Sequence, residues 1–132
     1  MDIIKLVGTD DTPSVILDKE NNKFEFAGRS MPEDVVAFFQ PVLDWLDEYA
    51  SDPNPKTVFD FKMNYFNTAS SKIIMDILLK LEEMKDDGND VACNWYYPEA
   101  DEDMKEAGEE YAEIAEIPFN HIACWDWRKA KG

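Results

Sequence analysis

Apolar and polar residues alternate in three short segments of the chain. Val15 and Leu17 share one face of Val15-Ile16-Leu17-Asp18, and Phe24 and Phe26 share one face of Lys23-Phe24-Glu25-Phe26. Phe59, Phe61 and Met63 repeat the pattern around Asp60 and Lys62. Successive side chains of a strand point to opposite faces, so these segments predict strands with one buried and one solvated side. Asn21-Asn22, between the first two, predicts a hairpin turn. Ile3 to Val7 and Val91 to Trp95 predict two more strands, and Phe119 to Ala123 a less regular one.

Elsewhere the apolar spacing changes from two to three and four. Val35, Phe38, Phe39, Val42, Leu46 and Tyr49 form one helical stripe, and Ile73, Ile74, Ile77, Leu78, Leu81 and Met84 another. Ser30 and Glu33 fit a capping box for the first helix, with Pro32 in its first turn. Pro41 lies inside that helix and is expected to bend or break it. Asp87-Gly88 ends the second helix, read over residues 68–87. A third, short and polar, is read from Asp101 to about Ala115, with Pro118 stopping anything beyond. Strand 57–63, helix 68–87 and strand 90–95 make a β-α-β unit, whose two strands run parallel. The polar outer faces of three strands leave helices on one side only. The reading is a single domain over residues 1–132, a two-layer α/β sandwich with a mixed sheet and helices packed mainly on one face.

A chain of 132 residues with 45% hydrophobic and 13% aromatic content can bury a core and is too apolar for disorder. No stretch approaches the roughly 18 unbroken apolar residues of a membrane span, so no membrane insertion is expected. Met1-Asp2-Ile3-Ile4-Lys5 lacks the pattern of a secretion signal. With Cys93 and Cys124 as the only cysteines, the expectation is a cytoplasmic protein with free thiols. The net charge of −16 argues against nucleic acid and anionic membranes as partners, and for a protein with a basic face. Residues Glu99 to Glu116 hold nine acids and one lysine, a net −8 and half of that charge.

Candidate chemistry concentrates in Asn64-Tyr65-Phe66-Asn67-Thr68-Ala69-Ser70-Ser71-Lys72, where a strand gives way to a helix. Three hydroxyls crowd a helix start, which favours anions and so suits a bound phosphate or a phosphoryl group on a hydroxyl. Helix capping accounts for the same residues. A hydrolase or transferase using Thr68 or Ser71 lacks a visible base, since the one histidine, His121, lies in a strand without an evident orienting partner. Asp101, Asp103 and Glu106 suit either a divalent cation or a solvated helix start, and their spacing does not match a calcium loop. The clusters Trp95-Tyr96-Tyr97-Pro98 and Cys124-Trp125-Asp126-Trp127 suit either core packing or an interface. Arg128, Lys129 and Lys131 read as a solvated tail. No glycine-rich phosphate loop or Cys-x-x-Cys is present, and no cofactor is implied.

Taken in order, Thr12-Pro13, Gly28-Arg29-Ser30-Met31-Pro32-Glu33, Tyr65-Phe66-Asn67-Thr68, Ser71-Lys72, Trp95-Tyr96-Tyr97 and Asp101 to Glu109 resemble the SiaC family of bacterial regulatory phosphoproteins. The resemblance runs from about Thr12 to Ile122. It implies a fold similar to STAS-domain anti-sigma-factor antagonists and a partner switch without enzymatic activity. A protein kinase would phosphorylate the threonine of Tyr-Phe-Asn-Thr, here Thr68, and a PPM-type phosphatase would reverse it. The unphosphorylated form would bind and stimulate a diguanylate cyclase, raising cyclic di-GMP and promoting biofilm; an antagonist-like switch with another partner is the alternative. Tyr65, Phe66, Asn67, Ser70, Ser71 and Lys72 are the expected surroundings of the phosphosite. Asp101, Asp103, Glu106, Glu109, Trp95 and Tyr97 are the expected partner surface. Ala69 departs from the family, which usually has Ser there.

Overall fold

The computed structural model describes residues 2–124. The elements run β1 (Ile4–Leu6), β2 (Ser14–Asp18), β3 (Lys23–Ser30), α1 (Val35–Ala50), β4 (Lys56–Phe66), α2 (Thr68–Asp86), β5 (Asp90–Pro98), α3 (Glu102–Ile114) and β6 (Phe119–Cys124). The six strands form one sheet in chain order. β1, β2 and β3 are antiparallel neighbours, while β3 to β6 are successively parallel, each joined to the next through a helix.

The period-two positions fall on one face, as their spacing requires. Register pairs Val15 with Phe26 and Leu17 with Phe24. It also pairs Phe26 with Phe61, and Phe61 with Trp95. All of these are buried beneath the helices. Their rings stack across strands: Phe24 on Phe59 at 5.0 Å, Phe26 on Phe61 at 5.2 Å and Phe61 on Trp95 at 5.5 Å between centroids. Burying one such ring stabilises the fold by about 1.5–3 kcal/mol. The alternate positions carry Glu25, Asp60, Lys62 and Asn94 on the open face, so the molecule is a two-layer α/β sandwich with a mixed sheet.

Three local expectations are corrected. Ser30 does not cap α1: β3 keeps pairing with β4 as far as Ser30 opposite Phe66, and this takes Ser30 into the interior. Asp34 is the cap instead, its carboxylate accepting the Ala37 N–H at 3.0 Å. Pro41 does not break α1, which is continuous from Val35 to Ala50. Pro41 and Ala37, whose carbonyl loses its partner, both lie on the exposed side, where water can serve that oxygen. The β2–β3 connection spans residues 19–22 rather than two residues. Asp18 accepts both the backbone and side-chain N–H of Asn21, and Asn22 adopts a left-handed φ of 53°.

Cys93 and Cys124 are free thiols. Cys93 pairs with Phe119 and Cys124 with Pro98, so they are five residues apart along neighbouring strands. At about 3.3 Å per residue that is about 16 Å, beyond any disulfide. Trp125, Trp127, Arg128, Lys129 and Lys131 lie outside the described residues.

Candidate functional site

The singled-out segments meet at the C-terminal ends of the parallel strands. β4 ends at Phe66 and α2 starts at Thr68, with Asn67 between them. Asn67 is extended (φ −83°, ψ 177°) and its side-chain oxygen accepts the Ser70 N–H at 2.9 Å. Its own N–H is donated to the Ser30 carbonyl at 3.1 Å. The strand end is thus tied to β3, and capping is done by Asn67 rather than by any of the three hydroxyls.

Those hydroxyls diverge. Ser70 is buried, and its Oγ accepts the Ser30 hydroxyl at 2.8 Å. Ser71 turns back and donates to the Thr68 carbonyl at 2.7 Å. Thr68, in the first turn, is exposed, and its hydroxyl makes no hydrogen bond among the described residues. Thr68 and Ala69 N–H groups have no acceptor within the helix, because a first turn leaves its leading donors unpaired. Partial positive charge from the helix end therefore gathers beside the one outward hydroxyl. Lys72, one turn on, is exposed as well. Tyr65 is 46% exposed, with the Arg29 guanidinium 5.5 Å above its ring.

The acidic segment forms α3, capped by Asp101, whose carboxylate accepts the Met104 N–H at 3.0 Å. Glu102 and Asp103 lie in its first turn, where carboxylates favour the dipole. Asp103, Glu106 and Glu109 are exposed, and Asp101 is partly so. Among the described residues no three His, Cys, Asp or Glu side chains gather into a possible metal site.

Trp95 is corrected: it is fully buried and is not surface in this structure. Its indole N–H donates to the Met104 carbonyl at 2.9 Å, and its ring lies against Tyr111 at 5.4 Å. Gly108 of α3 packs over the same ring so closely that an added Cβ would fall 2.4 Å from Trp95 Cδ1. The indole is the seat on which α3 sits. Ser70, equally interior, supports the first turn of α2 from beneath. Tyr97 is half-buried against the core.

Tyr111 was not singled out in the sequence, although Met104, Gly108, Tyr111 and Ala115 recur at helical spacing and are all buried. Its hydroxyl donates to the Ser71 carbonyl at 2.9 Å, linking α3 to the first turn of α2. Burial pushes its phenol well above the ordinary range, so it remains a donor. Ser30, expected as a cap, is the other residue whose role emerges only in three dimensions. Thr12, Gly28 and Arg29 line a separate open cavity of about 860 Å³ on the helix-free side of the sheet, together with Lys62 and Tyr96.

No helix among the described residues is long and apolar enough to cross a membrane. Comparison with known proteins converges on one family. The model of the SiaC family of regulatory phosphoproteins matches residues 6–124. An uncharacterized protein of Pseudomonas aeruginosa strain UCBPP-PA14 is 33% identical over 119 residues, spanning 90% of this chain and 94% of that protein. The crystal structure of apo-SiaC from Pseudomonas aeruginosa superposes with a TM-score of 0.85 at 32% identity, covering 93% of this chain and all of that one. SiaC from the same organism, in the crystal structure of the diguanylate cyclase SiaD with its activator SiaC, gives 0.87 at 32% identity, covering 92% and 99%. Matched over nearly all of its described length by sequence and by fold, the chain belongs to the SiaC family of regulatory phosphoproteins.

Proposed function

We propose that this chain is a non-enzymatic, phosphorylation-controlled partner switch acting in the cytoplasm, with Thr68 as the switch residue. Its unphosphorylated form binds and stimulates a diguanylate cyclase. A kinase phosphorylates Thr68 and a PPM-type phosphatase restores it. The observation that carries this reading is the divergence of the three hydroxyls: Ser70 and Ser71 are engaged, whereas Thr68 is exposed at a helix N-terminus and its hydroxyl makes no hydrogen bond among the described residues. The relative that superposes at a TM-score of 0.87 is an activator held by a diguanylate cyclase, which supports the partner class. The exposed acids Asp103, Glu106 and Glu109 on α3, with Asp101 at its start, supply a surface suited to a basic partner face.

A phosphate adds about −1.5 to −2 charge and bulk at Thr68. Long-range repulsion is screened beyond about 10 Å at ordinary ionic strength, so its direct electrostatic effect on a partner is short-range, through desolvation and steric blockade where the two meet. The test is titration of the cognate cyclase with wild type, Thr68→Ala and protein phosphorylated at Thr68. Wild type and Thr68→Ala bind and stimulate, and the phosphorylated form loses both. Equal binding by phosphorylated and unphosphorylated protein defeats the switch.

A further inference from the structure

We propose that Tyr111 is the positioning residue through which a charge placed on Thr68 is read out at α3. This rests on the assignment of Thr68 as the modified residue and adds the route by which the acidic helix responds.

The route is a continuous set of contacts. Ser71 moves with Thr68, because its N–H bonds the Asn67 carbonyl at 2.9 Å and its hydroxyl bonds the Thr68 carbonyl at 2.7 Å. The Ser71 carbonyl accepts the Tyr111 hydroxyl at 2.9 Å. The Tyr111 ring lies 6.3 Å from Phe66, which ends β4 just before the cap, and 5.4 Å from Trp95. Trp95 in turn holds α3 at Met104 and beneath Gly108. One side chain therefore touches the strand end before the phosphosite, the helical turn that carries it and the seat of the acidic helix.

A dianion on Thr68 draws on the two unpaired N–H groups of that turn and on Lys72, and so shifts the turn's backbone. A shift in the Ser71 carbonyl must be followed by Tyr111 or must break its hydrogen bond. Packed interiors respond to such displacements by discrete rearrangement rather than by stretching. The alternative is that the phosphate blocks only the surface it covers, with α3 unmoved.

Amide NMR on the full chain separates the two, with phosphothreonine placed at position 68 by site-specific incorporation so that no kinase is required. In wild type, phosphothreonine shifts amides both in the first turn of α2 and along Met104 to Ile114. In Tyr111→Phe, which keeps the ring and loses the hydroxyl, the α2 shifts persist while those in α3 fall at least threefold. Ser70→Ala disturbs the same turn by removing the Ser30 bond, leaves the Tyr111 hydroxyl and its Ser71 acceptor in place, and keeps the α3 response. Phe66→Leu, which removes the ring contact, also reduces that response and serves if Tyr111→Phe does not fold. An α3 silent in wild type overturns the proposal, as does an equal α3 response in wild type and Tyr111→Phe, or in wild type and Phe66→Leu where Tyr111→Phe does not fold. If cyclase binding ignores phosphothreonine at 68, the partner switch fails, while the amide shifts still decide the coupling.

Discussion

At the scale of single residues, the first turn of α2, where phosphorylation of Thr68 is proposed, depends on which way each small side chain points. Ser70→Ala removes the buried acceptor of the Ser30 hydroxyl. A buried hydroxyl left unpaired costs about 1–3 kcal/mol. Ser71→Ala deletes only a local bond at the surface and costs less than about 0.5 kcal/mol. Thermal melts of the two variants should therefore separate clearly, although the residues are adjacent. Gly108→Ala drives a methyl into the Trp95 ring, at 2.4 Å from Cδ1. Overpacking of that kind costs about 1–3 kcal/mol, although alanine favours helices. A melting temperature equal to or above wild type would show that α3 can slide off its seat at no cost.

At the scale of elements, one feature of a helix and one of the sheet can be tested. Pro41 lies within α1 and removes one helical hydrogen bond. Pro41→Ala restores that bond while giving the unfolded chain more freedom, for a net gain of about 2 kcal/mol. A denaturant midpoint that does not rise rejects this balance. On the open face of the sheet, Glu25 lies between Lys23 and Lys62, each at 3.2 Å. Burial pushes its carboxyl up, but the two lysines more than offset this and leave it below the ordinary value of 4.5. A lowered folded-state value means that the group's stabilisation is full above about pH 4.5 and is lost as pH falls through the folded value. The melting difference between wild type and Glu25→Gln should be present at neutral pH and shrink below that point. A difference independent of pH assigns the effect to packing instead.

At the scale of the whole molecule, a net charge of −16 on 132 residues sets up self-repulsion that folding concentrates. Half of it lies within Glu99 to Glu116, most of which is one surface helix. Raising salt from about 0.02 to about 0.5 M shortens the screening length from roughly 20 Å to below 5 Å. The melting temperature should rise in sodium chloride, which screens without strong exclusion effects, and a flat or falling curve contradicts net repulsion. The same screening should slow association with a basic partner, so stability and on-rate move in opposite directions with salt.

The alternation in Phe24-Glu25-Phe26 and Phe59 to Met63, and the stripe from Ile73 to Met84, determine strand and helix without reference to anything distant, because side-chain period follows from backbone geometry alone. The one-sided sandwich follows in turn from polar outer strand faces. Thr68 at a helix start was legible for the same reason, since the period changes there. What the sequence could not decide was direction and partnership across long separations. Ser30 reads locally as a helix cap, yet 40 residues on it finds Ser70 and becomes interior. Trp95 reads equally as an anchor for a partner or as core, and only the arrival of Met104 and Gly108 over its ring makes it core. Which of three neighbouring hydroxyls stays exposed, and that Tyr111 bonds the turn bearing it, are decided by how α2 and α3 pack against β4 and β5; no local pattern of residues encodes a contact that forms only when separate elements meet.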